Sequence, residues 1–531
     1  MEEKESIQDQ KFDHTVSEIH EYETIRHRRR RMLPRAALVG VASGALASLF
    51  GLVLSWGDDL RANLLNWAHQ WPAAGWLVPV VFCGLGTAAA VFLVINKAPE
   101  TSGSGIPHLK AVLHRFRTLS WKRVLPVKFI SGTLALGSGL LLGREGPTVQ
   151  MGGAVGDAVA EGLKLHPKER RTMIAAGAGA GLAAAFNAPL SGLTFVLEEV
   201  QRDFQPVVFT CAFMAAVTAN ITARFFRGSS PVFSIPSYPT PPLLSLPLFA
   251  LLGIAAGLLG VLFNRGLIGM LDLFSKLRGK NALIAAASVG GIVGLITWFN
   301  PQLTGSGHEL AEDALAGGLV LGAIPAFYLI RFALTIASYG TGVAGGIFAP
   351  LLVLGALMGL GIGQAANYFL PALVPQPAVF AVVGMAALFT GIVRAPLTGI
   401  FLIIEMTGNY DQMLPLLVAC FFAYDIADLL KDMPIYEALM ERDLSRNGIH
   451  AQLQIPTILE IEIEEGAPFD GKRVKSLGLP PGCVIASITQ DGLEVVPTAQ
   501  TRLESSMKIT AVIDPEAADS VAILHSGCKT P

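Results

Sequence analysis

Hydrophobic and polar positions divide this 531-residue chain into three blocks. The opening is polar and charged. Beyond it, apolar stretches at 36–56, 76–96, 248–271, 282–299 and 413–430 are about as long as the ~20 residues that cross a hydrocarbon core of ~30 Å, so each predicts a spanning helix. Many other apolar stretches before residue 442 are too short to span. Such segments lie at membrane depth only when buried in protein or lining a wet cavity, which predicts tilted, broken and re-entrant helices. Past residue 447 the pattern changes. Ile458-Leu459-Glu460-Ile461-Glu462-Ile463-Glu464 alternates as a half-buried strand does, and Asp491-Gly492 marks a hairpin between two further apolar runs. The expected organisation is a polar leader (1–32), a membrane body (33–442) and a small water-soluble module (447–531).

The body repeats itself, with copies over roughly 33–225 and 245–442. Thr101-Ser102-Gly103-Ser104-Gly105 is echoed by Leu303-Thr304-Gly305-Ser306-Gly307, and Gly146-Pro147 by Ala349-Pro350. Ala188-Pro189-Leu190-Ser191-Gly192 is likewise echoed by Ala395-Pro396-Leu397-Thr398-Gly399. Glu198 and Glu405 each stand nine positions after the proline of their copy. Gly- and Pro-punctuated segments recurring in two apolar halves are what a duplicated transporter builds its midplane binding site from.

Composition agrees with a membrane location: 52% of residues are hydrophobic and 15% charged, against about 25% charged in soluble proteins. No apolar run with a small-residue cleavage site follows the polar opening, so no cleavable signal peptide is read there. The basic cluster Arg26, Arg28, Arg29, Arg30, Arg31 and Arg35 abuts the first span and predicts a cytoplasmic N-terminus by the positive-inside bias. A net charge of -2 argues against a nucleic-acid partner. Cys83, Cys211, Cys420, Cys483 and Cys528 are scattered, with neither a disulfide framework nor metal-ligand spacing. No nucleophile and base set suggests an enzyme, and no cofactor is expected.

Three segments share one design: Gly103-Ser104-Gly105-Ile106-Pro107, Gly143-Arg144-Glu145-Gly146-Pro147 and Gly345-Gly346-Ile347-Phe348-Ala349-Pro350. Glycine lets backbone approach a ligand closely, and proline opens a helix where no amide hydrogen is needed. Each is a candidate helix N-terminus, and three converging termini can hold a small anion without a full counter-charge. Glu145 would put a carboxylate where the anion passes. Ionised it competes for the anion position, and protonated it leaves, so protonation and anion occupancy are linked. Pairing with Arg144 is the competing reading, but adjacent helical residues do not face each other.

These segments, in this order, resemble the chloride channel/transporter (CLC) family over roughly residues 33–442. Val124-Leu125-Pro126-Val127-Lys128 and Gly181-Leu182-Ala183-Ala184-Ala185-Phe186-Asn187-Ala188-Pro189 extend the match. The resemblance implies an all-α polytopic body with an inverted repeat, and a homodimer with one anion path per subunit. It implies Ser104 and Tyr436 as hydroxyl donors to chloride, with the backbone amides of Ile347 and Phe348. Glu145 becomes the gate and outer proton acceptor, and Glu199 the inner proton-transfer residue. Glu198 matches Glu405 and suggests a role common to both halves, such as terminating or pairing a helix; Glu199 matches Met406 and is unique to the first.

The two glutamates favour an H+/Cl- exchanger over a passive voltage- or pH-gated chloride channel, which remains the alternative. His108 and Lys110 stand where acidic residues are common in bacterial relatives. Lys128, alone in apolar sequence, either biases the path toward anions or pairs with an acid. The tail resembles the TrkA C-terminal module of potassium-transport regulators, through Asp470-Gly471-Lys472, Leu477-Gly478-Leu479-Pro480-Pro481-Gly482 and Gly492-Leu493-Glu494-Val495-Val496-Pro497. It would be a small α+β cytoplasmic domain that binds a small ligand or stabilises a dimer. The expected setting is a bacterial inner membrane with both termini cytoplasmic.

Overall fold

A computed structural model describes residues 2–529 apart from 72, 203, 229, 230, 234, 237, 447–456, 491, 492, 515, 516, 518 and 519; for 2–25, 27, 28, 457 and 493 only the backbone is described. The chain divides between Met440 and Glu441 into two compact units.

The first unit is helical and its element order runs twice. The first pass comprises α1 (Glu2–Ala68), α2 (Leu77–Lys97), α3 (Ile106–Leu113), α4 (Trp121–Gly137), α5 (Glu145–Gly162), α6 (Pro167–Phe186), α7 (Pro189–Phe195) and α8 (Pro206–Arg227). The second comprises α9 (Leu246–Ser275), α10 (Lys280–Phe299), α11 (His308–Leu315), α12 (Ile324–Gly340), α13 (Phe348–Phe369), α14 (Ala378–Val393), α15 (Pro396–Thr407) and α16 (Met413–Leu429). Helix α17 (Ile435–Arg446) follows. Corresponding members share local details. A short 3-10 turn precedes α3 and α11, and both α6 and α14 end on a left-handed residue, Asn187 and Arg394.

Among the described residues six helices are long and apolar enough to cross a membrane: Arg29–Ala68, Leu77–Lys97, Pro206–Arg227, Leu243–Ser275, Lys280–Phe299 and Phe348–Phe369. Four coincide with spans expected from the sequence. The fifth expected span, 413–430, is the 17-residue helix α16, shorter than the full crossing predicted. Two spans were missed, at Pro206–Arg227 and Phe348–Phe369, because polar residues interrupt the first and the second begins inside the glycine-rich segment that ends at Ala349-Pro350. Helix α1 runs unbroken from the polar leader through Pro34 into the first span.

Helices pack through small residues, as expected where lipid leaves little hydrophobic force between helices. Added Cβ atoms at Gly152 of α5 and Gly355 of α13 would lie only 2.2 Å from the Gly177 carbonyl oxygen of α6 and 2.5 Å from the Gly384 carbonyl oxygen of α14. The same close approach thus recurs in both halves.

The second unit carries a four-stranded antiparallel sheet of order β1-β4-β2-β3, with β1 (Thr457–Glu462), β2 (Cys483–Gln490), β3 (Leu493–Val495) and β4 (Lys508–Ile513), plus α18 (Ser520–Cys528). Ile461 and Ile463 point into a core with Ile485, Leu503, Ile509 and Leu524, as the alternating pattern predicted. The expected hairpin joins β2 to β3, pairing Gln490 with Leu493; Asp491 and Gly492 themselves lie outside the described residues.

Candidate functional site

The three glycine-rich segments meet in the interior of the first unit. Gly103 N donates to Val343 O at 2.9 Å and Gly345 N to Gly103 O at 3.0 Å. Gly143 N donates to Gly346 O at 2.7 Å and Gly346 N to Gly143 O at 2.8 Å. Backbone that is neither helix nor sheet is therefore satisfied at membrane depth by the other loops of the same junction. Close approach requires glycine here. A Cβ on Gly146 would stand 2.8 Å from the Ser104 Cβ and 3.0 Å from the Gly346 Cα.

From this knot three helices leave: α3 starts at Ile106, α5 at Glu145 and α13 at Phe348. Their prolines, Pro107, Pro147 and Pro350, fall at the second or third helical position, slightly deeper than expected but still in the first turn where no acceptor is lost. Gly105 precedes α3 with φ 79°, and Gly307 precedes α11 with φ 77°, so the repeated Gly-Ser-Gly turn has one geometry in both halves.

Ser104 is fully buried. Its Oγ accepts the Ile106 amide at 3.3 Å, and its own amide donates to the Tyr339 hydroxyl at 3.3 Å. Ile347 and Phe348, also fully buried, open α13, where backbone amides have no intrahelical acceptor. The Phe348 ring lies 6.2 Å from the Tyr436 ring, near parallel, and is enclosed by Phe186, Phe195 and Phe389. Tyr436 is the second residue of α17 and fully buried; among the described residues its hydroxyl has no hydrogen-bond partner.

Glu145 is the first residue of α5 and 4% exposed, and its carboxylate lies beside the first turn of α13, where a Cβ added at Gly143 would meet both Glu145 Oε2 and the Ala349 amide nitrogen. Its Oε2 has no partner among the described residues. Arg144 turns away, donating to the Ala185 carbonyl at 3.3 Å. Glu145 also lines a cavity of about 330 Å³ with Arg144, Ser306, His308, Asp58 and Phe233.

Glu198 and Glu199 sit on one π-helical turn, Val196–Val200, that continues α7, and they diverge. Glu198 accepts amides at the start of α15, the helix-terminating role its repeat partner suggested. Glu199 is fully buried and accepts Lys110 Nζ at 2.6 Å. Lys128, fully buried on α4, donates to the carbonyls of Thr101 and Gly103 at 2.9 and 2.7 Å, so its partners are backbone dipoles and not an acid.

Sequence reasoning missed four residues of this region. Arg331 on α12 is the counterpart of Lys128, fully buried and donating to the carbonyls of Leu303, Gly305 and Ser306. Its signal was present, since Lys128 follows Gly103 by 25 positions and Arg331 follows Gly305 by 26. Tyr339, Arg202 and Glu437 carried no such signal.

A family model described as voltage gated chloride channel matches residues 85–428, and a TrkA-C domain model matches 458–524. An H(+)/Cl(-) exchange transporter ClcA of Vibrio parahaemolyticus is 41% identical over 427 residues, covering 79% of this chain and 91% of the relative. The protein of that name from Cronobacter sakazakii is 38% identical over 425 residues, covering 79% and 91%. Among solved structures, a slow cyanobacterial Cl-/H+ antiporter superposes with a TM-score of 0.76 at 38% identity, covering 79% of this chain and 99% of that one. The matched family model, these relatives and the twice-run helical order together show that the chain is a membrane protein of the voltage-gated chloride channel (CLC) family, with a C-terminal TrkA-C domain.

Proposed function

We propose that this protein exchanges chloride for protons across a membrane, with Glu145 competing with chloride for one electropositive cradle. The observation that carries the reading is the position of Glu145. It is a nearly sealed carboxylate on the first turn of α5, beside the first turn of α13, with a buried oxygen that no described residue hydrogen-bonds. In that place an ionised carboxylate substitutes for an anion at the positive ends of two helices. Protonation removes that attraction and frees the position.

Chloride in this reading is held by the hydroxyls of Ser104 and Tyr436 and the amides of Ile347 and Phe348. These donors supply hydrogen bonds without a full charge, so the ion is stabilised and can still leave. Lys128 and Arg331 add positive field from behind the carbonyls they bind. Glu199 relays protons to the cytoplasmic side. Relatives whose names describe H(+)/Cl(-) exchange support the same chemistry. Two copies assemble as a dimer with one pathway each, both termini face the cytoplasm, and the C-terminal domain regulates transport through a small ligand or stabilises the dimer.

Reconstitution into liposomes tests the reading: an imposed chloride gradient is expected to drive protons uphill. Chloride movement with no accompanying protons would instead identify a passive channel, and no flux of either ion would remove transport altogether.

A further inference from the structure

The cluster around Glu199 holds more charge than a single proton acceptor requires. Lys110 on α3 is almost wholly buried, and its Nζ donates at 2.6 Å to Glu199 Oε1 and at 2.6 Å to Glu437 Oε1. Arg202 pairs with Glu437 and stands 3.8 Å from Glu199 Oε2. These are the charged groups facing Glu199: Lys110 from α3, Glu437 from α17, and Arg202 from the segment after the π-helical turn. Tyr436, next to Glu437 in sequence, is its phenolic neighbour. Two cations and two carboxylates cancel, the condition under which buried charges persist.

Two further observations give the cluster a direction. Side-chain exposure rises from 0% at Glu199 and 2% at Lys110 to 18% at Glu437 and 46% at Arg202, a graded path from sealed interior to water. Both glutamates also keep a buried Oε2 that no described residue hydrogen-bonds. A buried carboxylate oxygen without a donor carries a desolvation penalty that a bound proton relieves.

Resting on the proton-exchange reading above, we propose that Glu437 is a relay residue, taking protons from the aqueous side to which it opens and passing them to Glu199. Lys110 is the positioning residue that holds the two carboxylates within reach of each other. The proton balance closes within the cluster. A hydronium ion gives its proton to the Glu437 carboxylate and becomes water. Lys110 then passes one of its three protons to Glu199 while the neutral Glu437 returns one to Lys110. The ammonium is regenerated, Glu437 is again ionised, and Glu199 holds the proton.

The test uses the full-length protein in liposomes, with chloride and proton fluxes recorded together. Glu437→Gln keeps the shape and removes the titratable group. It is expected to lower proton flux about tenfold or more, with chloride flux kept within about twofold, and Glu437→Asp is expected to restore much of the ratio. An unchanged proton flux in Glu437→Gln overturns the relay. So does a fall of both fluxes in step, which a merely structural role beside Tyr436 would produce. Should Glu437→Gln not fold, Lys110→Gln reads the same ratio: a loss of protons relative to chloride supports the relay and a parental ratio overturns it. Glu199→Gln separates the two levels of inference. If the parent itself moves no protons, the exchange reading fails and the relay with it; if the parent exchanges and Glu199→Gln matches it, the Glu199 assignment and the relay fail while exchange stands; if Glu199→Gln is proton-silent while Glu437→Gln is parental, only the relay fails.

Discussion

Glu198 accepts both the backbone amide and the side-chain hydroxyl of Thr398, each at 2.8 Å. Glu405 does the same for Ser191, at 2.8 Å from its amide and 2.6 Å from its hydroxyl. Each half of the membrane unit thus caps the helix of the other, α15 by Glu198 and α7 by Glu405. Carboxylates at helix N-termini satisfy orphan amides and oppose the positive end of the dipole. The reciprocity is the mark of two halves related by an approximate two-fold.

Removing either cap should loosen the seam without touching the ion site. Glu198→Ala and Glu405→Ala are each expected to lose about 1 kcal/mol of stability, within the ~0.5–2 kcal/mol range of cap deletions. Thermal unfolding in detergent checks this. Because the caps serve different helices, the double variant should lose close to the sum of the two.

Glu145→Ala should separate the two ions. Without a carboxylate to displace, chloride flux is expected to persist and to become independent of pH, while uphill proton movement is lost. In the parent, acidification neutralises Glu145 and should speed chloride. Paired chloride-electrode and pH recordings on liposomes decide it, and a variant that still pumped protons would remove Glu145 from the mechanism.

Tyr436→Phe removes one of the donors proposed for chloride and leaves the ring packed against Phe348. A hydrogen bond to a charged partner is worth ~1.5–3 kcal/mol, so chloride affinity by calorimetry should fall by roughly ten- to a hundredfold. Ring packing is kept, so unfolding temperature should stay near the parent's.

Gly146→Ala places a methyl 2.8 Å from the Ser104 Cβ, against backbone-anchored atoms that have little freedom to give. Overpacking of this kind costs ~1–3 kcal/mol. The expected result is a lower unfolding temperature together with weaker chloride binding, since the strain falls on the serine proposed to hold the ion. Loss of stability with unaltered binding would argue against Ser104 as a donor.

Much of the site was legible because it is written in local signals. The Gly-Ser-Gly, Gly-Arg-Glu-Gly-Pro and Gly-Ile-Phe-Ala-Pro segments announce tight turns and helix starts through glycine and proline, and their recurrence marks the seam. The shared role of Glu198 and Glu405 could be read from their matching offsets. Full crossings were less legible. Phe348–Phe369 begins inside a loop motif, and Pro206–Arg227 carries threonine, asparagine and arginine, so neither has the unbroken apolar run by which a span is recognised.

The sequence alone determined that two similar apolar halves would carry glycine-rich helix starts, an intramembrane carboxylate at Glu145 and a separate β-containing tail. Only the tertiary structure decided which groups meet: Lys110 with Glu437, 327 positions apart, Ser104 with Tyr339, 235 apart, and Glu198 with Thr398, 200 apart. Turn and helix signals are local, because they arise from backbone torsions and from the orphan amides of a first turn. A charge pair between distant helices leaves no periodic trace in the chain, and it exists only once packing has excluded water and brought the partners together.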